Sequence, residues 1–253
     1  MSDLEQKYNR KELITGIVIK MVAVIASAYG MIRTMDSLKS FTYFTNLSNI
    51  LIDIVLVIFI CMDICLLIWD GKKDCKKNWM YIVKFMATIS ITLTFVIYLT
   101  LLAPTNEEGF LQAYLSNGAG SLCVHFIAPV LAIADFILYD YRYRSTKVHA
   151  LFATVPPLMY VAFVVIAANL GMRWGENMYA PYNFMNFGAK TGWFGFDLSI
   201  LESETLGIGV FYMIVVLFFI FWGVGLIYLA LKNIRRKAKL SNQGQIPFDP
   251  NLI

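Results

Sequence analysis

Thr45 and His125 are the residue types from which acyl transfer can be built. A threonine hydroxyl is a poor nucleophile until a base takes its proton. An imidazole, with an ordinary pKa near 6.5, can do so at neutral pH. Thr45 lies in the stretch FTYFTNLSN (41–49), where Thr45, Asn46, Ser48 and Asn49 crowd the head of a long apolar run. At 100° per residue, these four and Asp53 fall within roughly 160° of one helical face. A polar stripe that fades with depth reads as one side of a cavity. Ser, Thr and Asn also hydrogen-bond between membrane helices as packing groups. Asp53 favours the cavity, because such packing seldom needs a carboxylate that far down.

His125 lies in SNGAGSLCVHFIAPV (116–130). Ser116 or Asn117 is placed to cap a helix there. Gly118, Ala119 and Gly120 permit close backbone approach. Ser121 is four residues before His125 and shares its face. Pro129 lacks the amide hydrogen that would bond the carbonyl of residue 125, so a kink beside the histidine is expected. A lone membrane histidine is often a packing residue, and Cys123 reads as one. If the pair is catalytic, a tetrahedral intermediate needs donors. Asn46, Asn49 and the amides opening the fourth helix are candidates, with Ser48 and Ser121 alongside. Asp53 is the candidate to orient the imidazole.

These residues sit in an unusually apolar chain. Hydrophobic residues are 58% of the sequence and charged residues 15%, against roughly 45–50% and 25% for soluble domains. Six runs are long enough to cross a bilayer as helices: about 13–32, 45–69, 80–103, 118–139, 148–170 and 206–231. Helices satisfy their own backbone in lipid, so the expected fold is all-α: one six-helix domain over residues 1–240, then a tail, 241–253. Lys and Arg number 15 in the two tails and alternate loops, against four on the other side: Arg33, Lys39, Arg173 and Lys190. The positive-inside rule then places both termini in the cytoplasm and Thr45 and His125 toward the outside. Ala26-Ser27-Ala28 mimics a signal cleavage site, but Lys20 interrupts the apolar run before it, so a retained first helix is expected. The net charge of +4 reflects these anchors and calls for no nucleic acid.

Other ionisable residues have quieter readings. Lys20 and Lys84 are near enough to the cytoplasmic side to snorkel. Asp63 and Asp135 would pair with these lysines or with loop arginines. His149 reads as solvated. Cys61, Cys65, Cys75 and Cys123 form no metal-type spacing and no disulfide framework. No phosphate loop appears, so neither metal nor cofactor is expected. The loop 171–205 is rich in Trp, Tyr and Phe, which argues against disorder and suits either a lid or an interfacial belt.

The order of FTYFT opening the second span, VHFIAPV in the fourth and MYAPYNFMNF (178–187) before the sixth resembles the bacterial six-helix relatives of the androgen-induced, androgen-dependent membrane protein family. The resemblance implies an intramembrane hydrolase of fatty acid esters of hydroxy fatty acids, with Thr45 as nucleophile and His125 as base. The family's tyrosine-proline-phenylalanine-leucine-acid motif falls on Tyr182 to Asn186, with Asn183 in place of the proline and Asn186 in place of the acid. The expectation is a plasma-membrane hydrolase of lipid-like esters, whose partners are a fatty-acyl substrate and the bilayer. Arg33 or Arg173 would meet a free carboxylate. A lipid-binding or small-molecule transport protein is the alternative.

Overall fold

The computed structural model describes residues 9–69, 75–104, 109–199 and 205–242. Lys7, Lys72, Lys73, residues 200–204 of the long loop and the tail from 243 onward lie outside them. The described residues are helical, with two isolated bridges in place of a sheet. The helices are α1 (Arg10–Thr34), α2 (Phe44–Ile68), α3 (Asn78–Ile97), α4 (Phe110–Leu122), α5 (Ala128–Tyr139), α6 (Val155–Asn169) and α7 (Val210–Asn242). Six segments are long and apolar enough to cross a membrane: Arg10–Thr34, Phe44–Ile68, Asn78–Thr100, Asn117–Tyr139, Lys147–Asn169 and Val210–Ser241. Each matches an expected span. The fold is that of a multi-pass membrane protein.

The chain divides into two compact units at His149/Ala150 and again at Gly225/Leu226. In the first, α1 packs on α2, α4 and α5, while α3 packs on α2 and α5. These helices therefore form a ring in which α1 and α3 separate α2 from α5. The last part of α7 joins this unit through Tyr228, whose hydroxyl is 3.0 Å from that of Thr92 on α3.

One end of the ring is held by buried charge. Lys20 of α1 lies 3.1 Å from Asp63 of α2 and 2.8 Å from Asp135 of α5. Lys84 of α3 lies 2.5 Å from Asp135 and 2.6 Å from Asp140, which follows α5. Lys76 pairs with the second oxygen of Asp63. Lys20 is 2% exposed and Lys84 0%, so the expected snorkelling does not occur. Snorkelling suits a lysine facing lipid, whereas these point inward, where facing carboxylates hold them. Three lysines meet three aspartates, so the cluster is neutral. Burial pushes the Asp140 carboxyl up to about 6, and the Lys84 charge opposes that rise. His149 also departs from the solvated reading. It is half-buried, with Nδ1 2.9 Å from the Tyr143 hydroxyl.

Proline acts through helix type rather than through a simple bend. Before Pro129, residues Cys123–Ile127 form a π-helical turn, and the Ala128 amide donates to the Cys123 carbonyl. The wider turn accommodates the missing amide of Pro129, and such turns recur at functional sites. Pro156 and Pro157 stand at the start of α6, where a 3₁₀ segment (Lys147–Thr154) gives way to α-helix.

The second unit contains α6, the long loop and the first part of α7. The described part of the loop is folded. Asn186, 1% exposed, accepts from the Tyr179 amide and donates to the Asn177 carbonyl. Phe187 stacks on Trp193 at 5.1 Å. The Phe211 amide in the first turn of α7 donates to Trp193 O.

Removing one member of the ion cluster should leave its partners charged and buried. Asp135→Ala is expected to destabilise the protein by about 3–5 kcal/mol, read as a fall in Tm in detergent. An unchanged Tm would mean that the cluster does not hold the ring together.

Candidate functional site

The polar stripe of α2 lies at the opposite end of the ring from the ion cluster. The Ser48 hydroxyl is 2.8 Å from that of Thr94 on α3. Asn49, fully buried, accepts at 3.1 Å from the Ser27 hydroxyl on α1. The stripe therefore reaches both neighbours of α2. Thr45 stands one turn before both residues and faces the same way. Its carbonyl accepts from Ser48 at 2.8 Å and from Asn49 at 2.9 Å. Its hydroxyl has no hydrogen-bond partner among the described residues. α2 opens without a side-chain cap, so its first-turn amides, Thr45 included, face no helical acceptor.

The amides expected to act as oxyanion donors are directed elsewhere. One Asn46 amide hydrogen goes to Ser40 O at 2.7 Å, holding the turn before α2. That of Asn49 goes to the Thr45 carbonyl. Asp53 is half-buried beside Ser27, and its Oδ1 is buried without a partner. No hydrogen bond joins it to His125.

His125 sits in the π-helical turn. Its ring stacks on Tyr98 at 3.7 Å between centroids and 5° between planes. Tyr98 itself opens a π-helical turn, Tyr98–Leu102, at the end of α3. Its hydroxyl donates to Ala113 O at 2.7 Å and lies 2.5 Å from Ser121 Oγ. Ser121 thus positions Tyr98, which supports the imidazole. His125 Nδ1 is buried and has no hydrogen-bond partner. Tyr114 packs edge-on against Tyr98 at 5.0 Å, and its hydroxyl is likewise buried and unpaired.

The fourth span departs from expectation at its start. α4 begins at Phe110, with Gly109 at the cap, rather than near Ser116. Asn117, Gly118 and Ala119 lie inside it with left-handed φ of 55°, 63° and 63°. Such a turn costs about 1–2 kcal/mol per non-glycine residue. It aims carbonyls at α1, where Arg33 Nε donates to Asn117 O at 3.2 Å and Tyr29 donates to Gly118 O at 2.8 Å. Close approach is needed nearby, since a side chain on Gly30 would meet the Gly120 carbonyl at 2.7 Å. Arg33 therefore anchors this turn. Arg173, in the second unit, caps α6 through Nη1 to Ala168 O at 2.7 Å and lies over the Tyr179 ring at 3.9 Å. Tyr182, in the same unit, stacks on Phe184 at 5.4 Å.

Tyr98, Thr94 and Ser27 complete the site but were not among the expected residues. A sign was present: Ser90, Thr94 and Tyr98 recur every four residues along the third span.

Thr45, Ser48 and Asn49 thus belong to one polar group, and Ser121, Tyr98 and His125 to another. No hydrogen bond joins the two among the described residues. The described residues hold no group of three or more His, Cys, Asp or Glu able to bind a metal. The site defines a multi-pass helical membrane protein with buried polar chemistry toward one end. No family model, curated protein or solved structure matches the chain.

Ser48 and Thr94 are expected to couple. A double-mutant cycle with Ser48→Ala and Thr94→Ala should return about 0.6 kcal/mol, the usual size for such pairs in membranes. Additive effects would mean that the two hydroxyls do not bond.

Proposed function

We propose that the protein is an intramembrane hydrolase of lipid-like carboxylic esters, fatty acid esters of hydroxy fatty acids among them. One observation carries the reading. His125 Nδ1 is buried without a hydrogen-bond partner, and the Thr45 hydroxyl, on the partly exposed first turn of α2, is bonded to no described residue. A buried imidazole nitrogen without a partner is costly and calls for a functional explanation. The order of motifs around Thr45 and His125 supports the same assignment.

In the proposed reaction, Thr45 Oγ attacks the ester carbonyl as His125 takes its proton. The C–O bond to the alcohol breaks, and the imidazolium returns the proton to the departing oxygen. Water, deprotonated by His125, then hydrolyses the acyl-threonine and releases the acid. The first-turn amides of α2, which no side chain caps, would donate to the developing oxyanion, in place of the Asn46 and Asn49 side chains. Tyr98, supported by Ser121, holds the imidazole plane. The acyl tails lie among apolar helices. The Lys and Arg asymmetry favours cytoplasmic termini in the plasma membrane, with the pocket toward the outer leaflet.

Purified protein should hydrolyse a panel of lipid esters. Thr45→Ala and His125→Ala should each lower kcat/KM by about 10²-fold or more. Wild-type rates in both variants would remove the pair from the mechanism. Binding of the ester without turnover in the wild type would make this a lipid-binding protein.

A further inference from the structure

The basic end of the first unit holds a second cluster that the proposed chemistry does not use. Lys232 of α7 is 0% exposed. Its Nζ donates to the Tyr143 carbonyl at 2.6 Å and to Ser145 Oγ at 2.8 Å, and lies 4.5 Å from the Tyr143 ring centroid. No carboxylate among the described residues is within ion-pair distance of it. One turn on, the Nε of Arg236 is buried without a hydrogen-bond partner. Arg144 stands between Tyr143 and Ser145, the two residues that Lys232 holds. Three basic residues thus converge from α7 and the segment after α5.

The neighbouring acids are committed elsewhere. Asp140 attracts Lys232 only at longer range, and its own ion pair is with Lys84. Glu12 pairs with Lys239 at 2.5 Å and with Arg235 at 3.7 Å. The cluster is also held in place. Asn78 accepts from the Arg144 amide at 2.9 Å and donates to the Arg144 carbonyl at 3.1 Å. Asn233 accepts from Ser145 at 3.1 Å. This contrasts with the neutral Lys–Asp cluster, where each buried cation has its anion.

We propose that Arg236, Arg144 and Lys232 form a binding site for a phosphate group. Guanidinium forks match phosphate oxygens, and basic pockets between membrane helices take anionic headgroups. The phosphate is either that of a lipid headgroup or free inorganic phosphate. The site is independent of the ester chemistry, so neither proposal depends on the other.

The test uses thermal unfolding of the full chain in detergent. Three probes are titrated: dioctanoyl phosphatidic acid, inorganic phosphate and dioctanoylglycerol. Phosphatidic acid should raise Tm saturably, and dioctanoylglycerol should not. Saturation by inorganic phosphate as well would identify free phosphate as sufficient. Arg236→Gln and Arg144→Gln should each weaken binding by about tenfold or more. Without ligand, Arg236→Gln should melt at or above the wild-type temperature, because it relieves like-charge repulsion. If it fails to fold, the exposed Arg144 side chain decides the question. Equal stabilisation by dioctanoylglycerol, wild-type affinity in the variants, or no binding of either phosphate probe would overturn the assignment.

Discussion

Three lysines and three aspartates largely withdrawn from water must neutralise one another, and the first unit is arranged around that requirement. Lys20, Lys84, Asp63, Asp135 and Asp140 come from α1, α3, α2 and α5 with the residue after it. A charge buried in a bilayer is costly unless paired. Sliding any of these helices by one turn would separate a lysine from its carboxylate. The cluster therefore sets the register of the ring. The stripe of α2, the end of α3 and the π-helical turn before α5 lie on the same helices and inherit their positions from it.

Polar residues at the two ends of the ring differ in how they are satisfied. At the charged end, each buried lysine of the network meets an aspartate. At the other end, Ser48, Asn49, Ser27, Ser121 and Tyr98 find partners, whereas His125 Nδ1, Asp53 Oδ1 and the hydroxyls of Tyr114 and Thr45 do not. Packing groups would be expected to pair throughout. In the proposed reaction, Thr45 and His125 are the nucleophile and the base among these unpaired groups. The proposed phosphate site follows the same logic with opposite chemistry, since Arg236 and Lys232 lack the anion that Lys20 and Lys84 possess.

The spans were legible because a bilayer leaves few alternatives: runs of about 20 apolar residues have to be helices. The side chosen by the polar stripe of α2 was legible as well, from helical geometry alone. What Asn46, Asn49, Arg33 and Arg173 do was not. Each donates to a backbone carbonyl, of Ser40, Thr45, Asn117 and Ala168. Those carbonyls lie at turns and helix ends that the sequence does not display. The left-handed turn at Asn117–Ala119 is such a case, because it interrupts a helix that begins seven residues earlier than the polar cap suggested. Tyr98 escaped notice because its importance arises from stacking on His125, a contact between spans. Lys20 and Lys84 looked like snorkelling residues because depth is visible in sequence and the facing helix is not.

The central claim is that Thr45 is a nucleophile activated by His125 and not a packing residue. Covalent labelling with a hydroxyl-directed fluorophosphonate, followed by peptide mass spectrometry, tests it most directly. The account predicts modification at Thr45, abolished in Thr45→Ala and strongly reduced in His125→Ala. Labelling that persists in Thr45→Ala, on Ser48 or Ser121, would contradict it.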